Sequence, residues 1–470
     1  MSSPVSEHSG LSDNLSREHG FEPLRIEGTL PPELHGTLYR QGPGLFELFG
    51  TKYQHVFETD GAVTAVRLED GKAWGASRLV QSEGLQRERN KGRALYSYAA
   101  SWWDRYWNNQ RQNKNTANTN VIEWQGRIYG LMEASKPTEL SSDDLSTIGE
   151  TDLGGLILGG FSAHPHDNPQ RKAMYNFGLE YGRITKLHLY ELPYQGQARR
   201  LKSIHLPFPP MLHDFMVTEN YMLFFLAPAK LQVFRGLFTI SPWNKLFKWD
   251  PQESTEVFII PIDRPDEMVR FSTEAFYQWH FANAYEHGND IIVDYVRYPD
   301  FSTFEALGDG TRFGKGRASA RWGAFHRARI NVETRSFDSQ EVWGGACEFP
   351  RIHPDKPAQE YKYTWLSTEP LLEEVGQVPH SIVRINVTNG DVVTHELDGD
   401  EYPSEPVFVP RQGAKEEDDG YILSLVYEPV SHTSYLGVYD GRDLNAGPLA
   451  KVWFDHHIPV TFHGNWVPTA

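Results

Sequence analysis

Thiols are almost missing from this 470-residue chain, whose single cysteine is Cys347. An internal disulfide is therefore impossible, and cysteine-built zinc or iron–sulfur sites are excluded. Positive charge is in deficit too: 45 Lys and Arg stand against 62 Asp and Glu, a formal net charge of −17. A surface of that sign repels phosphate backbones, which argues against a nucleic-acid binder. Long apolar runs are also lacking. The longest, around Tyr221 to Ala229, is too short to span a bilayer. The N-terminal stretch is polar, without the basic-then-apolar layout of a signal peptide. These deficits predict a soluble, cytoplasmic protein. No Gly-x-Ser-x-Gly elbow supplies a serine nucleophile. The glycine-rich run 308–316 is read as a flexible loop, because Gly316 stands where a phosphate loop needs Ser or Thr.

What the chain does contain is imidazole and aromatic side chains, with 19 His, 13 Trp, 22 Tyr and 26 Phe. With thiolates absent, a transition-metal site must be assembled from histidine and carboxylate. Residues 1–20 are polar and aperiodic and read as a mobile tail, and no Pro/Gly linker divides residues 21–470, which read as one domain. Short runs rich in Val, Ile, Tyr and Phe predict strands at Arg127–Glu133, Lys172–Leu179, Arg183–Leu192, Tyr221–Ala227, Glu256–Ile262, Asp290–Arg297, Ser381–Val387, Tyr421–Tyr427 and Ser434–Tyr439. Asp70-Gly71 and Asn389-Gly390-Asp391 are hairpin signals. Helical periods are few, so the pattern predicts an all-β sandwich, barrel or propeller.

Four histidines sit in strand-edge contexts: His164 in FSAHPHD, His213 in MLHDFMV, His280 in QWHFANAYE and His463 in VTFHGNW. Their separations of 49, 67 and 183 residues belong to no local metal motif, so only the fold could gather them. Singly, each also reads as an ordinary core or surface histidine. Three glutamates have apolar neighbours that make a carboxylate costly unless it is paired: Glu133 in IYGLME, Glu348 in GGACEFP and Glu405 in YPSEPVFVP. Supporting the outer ring nitrogen of a metal-bound histidine is one use for them, and a strand-end surface position is the other. The segment 230–249, KLQVFRGLFTISPWNKLFKW, mixes aromatic and apolar residues with cations in an otherwise acidic chain. It reads either as an interfacial membrane-docking patch or as a buried cap.

Taken together, GTLPPELHGTLYRQGPGLFE, ANTNVIEW, LMEASKPTEL, SAHPH, LHDF, WHFANAYE, CEFPRIHP, YPSEPVFVP and HHIPVTFHGNW resemble, in order, the blocks of the carotenoid cleavage oxygenases, from about residue 22 to the C-terminus. The resemblance implies a seven-bladed β-propeller with a helical and loop cap, and Fe(II) on its axis held by His164, His213, His280 and His463. It implies Glu133, Glu348 and Glu405 as supporting carboxylates, and Thr119 beside the vacant iron position, where O2 would enter as co-substrate. The implied reaction cleaves a conjugated C=C bond of a lipophilic polyene into two carbonyl products. The 15,15′ bond of an apocarotenal is favoured and the 9,10 bond is next. Rivals are a stilbene-cleaving member of the same family and a propeller that binds a lipophilic or sugar ligand without turnover.

An apolar tunnel for the polyene is expected, with Trp102, Trp103, Tyr106, Phe215, Trp279 and Phe301 as candidate walls. The family uses the region matching 230–249 to contact membranes, so peripheral membrane association is expected here. Two departures stand out. HVFETDGAV replaces the family's FDGDGM-type block at residues 55–63, which is expected to alter a turn and not the iron site. Met132 replaces the lysine that helps hold a phenolate in lignostilbene-cleaving relatives, which favours a carotenoid or apocarotenoid.

Overall fold

The computed structural model describes residues 9–98, 100–111, 113–307, 322–369, 380–399 and 401–469, so the glycine-rich run 308–316 lies outside the described residues. All nine predicted strands form. Eight match their expected limits within two residues, and the ninth begins at Lys186 because residues 182–184 bend ahead of it. The two hairpin signals work as expected. At Asp70-Gly71 both residues have positive φ, 50° and 70°, which lets Glu69 pair with Lys72 across a two-residue turn. At Asn389–Asp391, Gly390 takes φ 79° between Ser381–Asn386 and Val392–Glu396.

Among the described residues the strands build seven antiparallel sheets of four or more strands, with two further two-stranded ribbons. They are the blades of a seven-bladed propeller. Seven inner strands, one per blade, line the axis: Asn120–Trp124, His166–Asn168, Met216–Val217, Tyr277–His287, Ala346–Ile352, Val407–Pro410 and His463–Pro468. The last of these belongs to a blade whose other strands come from near the N-terminus. It pairs antiparallel with Gly36–Leu45, so the two ends of the chain close the ring. Between blades the core is aromatic and aliphatic, as where Phe177, Phe215 and Phe224 stack edge to face and face to face.

Among the described residues, α-helices occur only in connections: Glu83–Lys91, Trp102–Arg111, Val233–Leu237 and Ser302–Ala306. They are tied into one cap. Trp102 Nε1 donates to the Phe238 carbonyl, Tyr106 stacks on Phe238, and Phe304 packs on His55. Lys114 Nζ, buried, binds Asp60 of a blade strand and Glu88 of the first helix, both at 2.7 Å. The capping loops thus rest on buried charge pairs as well as on apolar contact.

One expectation needs correction. Residues 9–20, expected to belong to a mobile tail, pack against the body. Ser9–Ser12 forms a 3₁₀ turn that buries Leu11, Leu15 is buried beyond it, and Asn14 Oδ1 accepts the backbone N–H groups of Phe46 and Glu47 at 2.7 and 2.9 Å. Backbone bonds from Leu15 to the Gly44 carbonyl and from Val460 to the Leu11 carbonyl complete the docking of this polar segment.

Closure depends on close approach at Gly464, where a Cβ would overlap the Tyr39 carbonyl of the paired strand. Gly464→Ala should destabilise the protein by about 1–3 kcal/mol in denaturant unfolding. Gly236→Ala, where a Cβ meets nothing nearer than 3.9 Å, should be neutral or slightly stabilising. Equal effects at the two positions would contradict this account of closure.

Candidate metal centre

The four singled-out histidines come together at the axis. His164 and His213 lie in the segments leading into the inner strands His166–Asn168 and Met216–Val217, His280 lies within Tyr277–His287, and His463 opens His463–Pro468. All four are buried, and one ligand atom of each lies within 4.8 Å of those of the other three. His213 Nε2 stands 3.0 Å from His164 Nε2 and 3.1 Å from His280 Nε2, and the His463 ring closes the set against His164 and His280 with centroids 4.6 and 4.7 Å away. Irregular pairing near His280 turns it out of regular strand alternation, and a second irregularity falls after Glu348.

The three glutamates arrive behind these rings. Glu133 Oε1 lies against His213 Nδ1, Glu348 Oε2 meets His280 Nδ1 at 2.5 Å, and Glu405 Oε1 meets His463 Nδ1 at 2.9 Å. A carboxylate at Nδ1 keeps the proton there and presents the bare Nε2 to the axis. Among the described residues, no carboxylate supports His164. Glu405 is the most enclosed of the three. Its other oxygen accepts Arg40 Nη1 at 2.6 Å and Gly464 N–H at 3.1 Å, while Arg40 Nη2 reaches the Phe462 carbonyl at 2.7 Å. Burial works against the Glu405 charge, but Arg351, His463 and Arg40 hold its carboxyl well below the usual carboxylate range. Tyr298 donates its hydroxyl to the second oxygen of Glu348.

Protonation at the centre follows from burial. Desolvation pushes His164 well below the ordinary histidine value and lowers His463 to about 4. Burial also acts against a charged His280, but Glu348 overcomes it and raises that ring above its ordinary value. The donor set fits a metal ion. With protons on Nδ1, the Nε2 lone pairs of His213 and His280 face each other at 3.1 Å, which is repulsive unless a cation lies between them. For metal–imidazole bonds of about 2.1 Å, cis ligands stand roughly 3.0 Å apart. The two measured edges match that spacing, as expected for imidazoles sharing one small ion with positions left over.

An apolar cavity opens on the centre from the cap side. Phe57, Thr119, Trp279, Leu307, Phe349 and Phe462 line it together with three of the histidines. Thr119 gives its hydroxyl to Asn118 Oδ1 at 3.1 Å, which leaves the methyl as its free end. Of the tunnel candidates, Trp279 lines this cavity. Phe301 stacks behind it among Tyr277, Trp279 and Phe304. Phe215 is fully buried between blades, and Trp102, Trp103 and Tyr106 lie on the cap helix, the first two exposed. Aromatic composition alone carries no direction, hence these misplacements. The divergent block 55–63 also touches the site after all: Phe57 lines the cavity, its ring parallel to His213 at 6.5 Å. Met132 is buried and is not among the cavity's lining residues. Sequence reasoning missed Phe57, Tyr298 and Arg40; for Arg40 the only signal was a cation in a strand otherwise free of charge.

Because imidazoles must be neutral to bind metal, protons compete with the ion wherever a ring's value is raised. His280 is that ring, so affinity for divalent cobalt should weaken as the pH falls through its raised value. Glu348→Gln should weaken binding on the order of 10–100-fold at pH 8 and flatten the pH dependence, as read by cobalt titration of metal-stripped protein. Unchanged affinity in that variant would contradict the support assigned to Glu348.

Comparison with known proteins gives the family. The family model for retinal pigment epithelial membrane protein matches residues 14–468. The apocarotenoid-15,15′-oxygenase of Synechocystis is 31% identical, covering 94% of this chain and 92% of its own. A carotenoid 9,10(9′,10′)-cleavage dioxygenase of Arabidopsis thaliana is 27% identical over 94% of this chain and 86% of its own. The solved structure of a variant of the Synechocystis apocarotenoid oxygenase superposes with a TM-score of 0.90 at 29% identity, covering 98% of each chain. The chain therefore belongs to the retinal pigment epithelial membrane protein family, that of the carotenoid cleavage oxygenases.

Proposed function

We propose that this protein is an Fe(II)-dependent dioxygenase that cleaves one conjugated C=C bond of an apocarotenoid into two carbonyl products, with the 15,15′ bond of an apocarotenal favoured. The observation that carries the reading is the buried set of four histidines opening onto an apolar cavity. His164, His213, His280 and His463 would hold the iron, which supplies the redox chemistry that lets triplet dioxygen react with a singlet alkene. Glu133, Glu348 and Glu405 fix the tautomer and orientation of three ligands. The Thr119 methyl and the Phe57, Trp279 and Phe462 rings keep bulk water from the ligands and offer a polyene dispersion contact without hydrogen-bonding groups. The similarity to an apocarotenoid-15,15′-oxygenase supports the bond preferred. Similarity to a 9,10-cleaving enzyme makes that bond second.

Delivery of so apolar a substrate is assigned to the cap. No described helix is long and apolar enough to cross a membrane. In the segment 230–249, Trp243, Phe247 and Trp249 pack inward on the core, while Val233, Phe234, Leu237 and Ile240 are exposed. Exposed Trp103 and Trp107, one helical turn apart, join them because Gln110 and Trp102 hydrogen-bond to the Leu237 and Phe238 carbonyls. Arg235, Lys245 and Lys248 lie in the same segment. Exposed aromatic and aliphatic residues among cations suit the headgroup region of a bilayer.

Incubation with an apocarotenal, a full-length carotenoid and a hydroxystilbene, with products identified by mass spectrometry, tests the substrate. Aldehydes from central cleavage of the apocarotenal are expected. Turnover of the stilbene alone would overturn the reading. Replacing Phe234, Leu237, Trp103 and Trp107 with Ser should weaken sedimentation with anionic liposomes several-fold while leaving the iron content unchanged. Full liposome binding by that variant would contradict the docking role.

A further inference from the structure

Each glutamate orients one ring, but the rings ride on different blades, and among the described residues the blades are separate sheets. The inner strands His166–Asn168 and Met216–Val217 are only three and two residues long. Their spacing therefore depends on contacts that bridge blades, from backbone as well as side chains. Two such ties are plain: Asn120 Nδ2 donates to the Ala163 carbonyl at 2.7 Å, and His463 N–H donates to the Thr119 carbonyl at 3.2 Å. Ser162 Oγ, 3.5 Å from the His213 carbonyl, adds a weaker tie between the His164 and His213 segments. None of these reaches His280.

Asp214 does. It follows His213 in the chain, and its side chain is 2% exposed. Its two oxygens accept three hydrogen bonds: Oδ1 takes His166 Nε2 at 2.7 Å and Phe215 N–H at 2.8 Å, and Oδ2 takes Phe281 N–H at 2.9 Å. Each donor adjoins a histidine of the centre. His166 is two residues beyond His164, Phe215 two beyond His213, and Phe281 one beyond His280. One carboxylate thus spans the three successive blades that carry three of the four rings. A carboxylate so enclosed is unfavourable unless every oxygen is satisfied, so three donors on fixed strands hold it in one place. The bond to Oδ1 puts a proton on His166 Nε2. Asp214 and His166 border a second cavity, which shares His280, Phe349 and His463 with the first but otherwise extends away from it, past Arg351 and Asn465. Each glutamate reaches one ring from another blade, whereas this pair joins the segments that carry three of the rings.

We propose that Asp214, with His166 as its partner, is a positioning residue that sets the mutual spacing of His164, His213 and His280 and thereby the field felt by the metal they bind. The proposal rests on the four-histidine reading of the centre. It explains why a histidine and an aspartate that touch no ligand atom are placed beside three ligands, and it assigns the spacing to hydrogen bonds, since the adjoining strand pairs are too short to enforce it.

The test uses full-length, metal-stripped protein titrated with divalent cobalt, read by its d–d absorption bands and dissociation constant, in the parent, Asp214→Asn, His166→Gln and the double variant. Asparagine keeps the shape of Asp214 but replaces one acceptor oxygen with an NH2 group, so at least one of the three bonds is lost. The expected result is a shifted band pattern and binding weakened roughly 10-fold in each single variant, with the double variant little worse than either because both break the same tie. Parent-like bands and affinity in His166→Gln and Asp214→Asn would overturn the proposal, and so would a change confined to the thermal midpoint. If Asp214→Asn fails to fold, His166→Gln decides by itself, since that ring is partly exposed on the cavity wall. A parent protein that binds no cobalt would instead defeat the four-histidine reading, an outcome distinct from the failure of this proposal.

Discussion

Four imidazole rings turned toward one axis from four different blades are the arrangement on which the rest of the molecule depends. Ring nitrogens at 3.0 and 3.1 Å repel one another unless a proton or a cation lies between them, and a chain keeps them so close only if something else gains by it. The gain here is the capacity to share a cation. Much of the inner ring answers to that arrangement. Glutamates pin the outer nitrogens, irregular pairing re-aims His280, and the Glu405–Arg40 pair anchors the closing strand where it delivers His463. The propeller suits the task because every blade brings one short strand to a common centre, so residues far apart in sequence meet without a local motif.

Charge and polarity divide the site into two faces. On the cap side the walls are apolar and Thr119 turns its hydroxyl away, which suits a hydrocarbon chain. Behind the rings the groups are ionic, and the three glutamates together bring a formal charge near −1 to a bound dication. Buried Arg40 offsets part of that at Glu405, and Tyr298 gives Glu348 a hydrogen bond in place of a second cation. The net charge of −17 is then a property of the outer surface, interrupted where the exposed apolar residues of the cap lie among Arg235, Lys245 and Lys248.

Much of this was legible in the sequence, for unequal reasons. Strand runs and hairpins are local, so alternation and Asp-Gly or Asn-Gly turns located them. The four histidines and three glutamates were visible as oddities of context, but their separations of 49, 67 and 183 residues meant that only resemblance to a family, not spacing, could join them. What stayed hidden depends on side-chain direction. Trp103 and Trp279 look alike in sequence, yet one is exposed on the cap and the other lines the cavity. Phe57 was overlooked because a divergent turn was assumed to be remote. Leu11 and Leu15 were lost in a polar segment whose docking rests largely on hydrogen bonds to its backbone and to Asn14. Asp214 and His166 left no trace, since a tie across blades has no sequence period.

The central claim is that four imidazoles, and no carboxylate, bind the catalytic iron. X-ray absorption at the iron edge of anaerobically purified protein measures this directly. The account predicts near-stoichiometric iron with four imidazole scatterers at about 2.1 Å. A centre with fewer than four imidazoles, or one in which Glu133, Glu348 or Glu405 binds the metal itself, would contradict it.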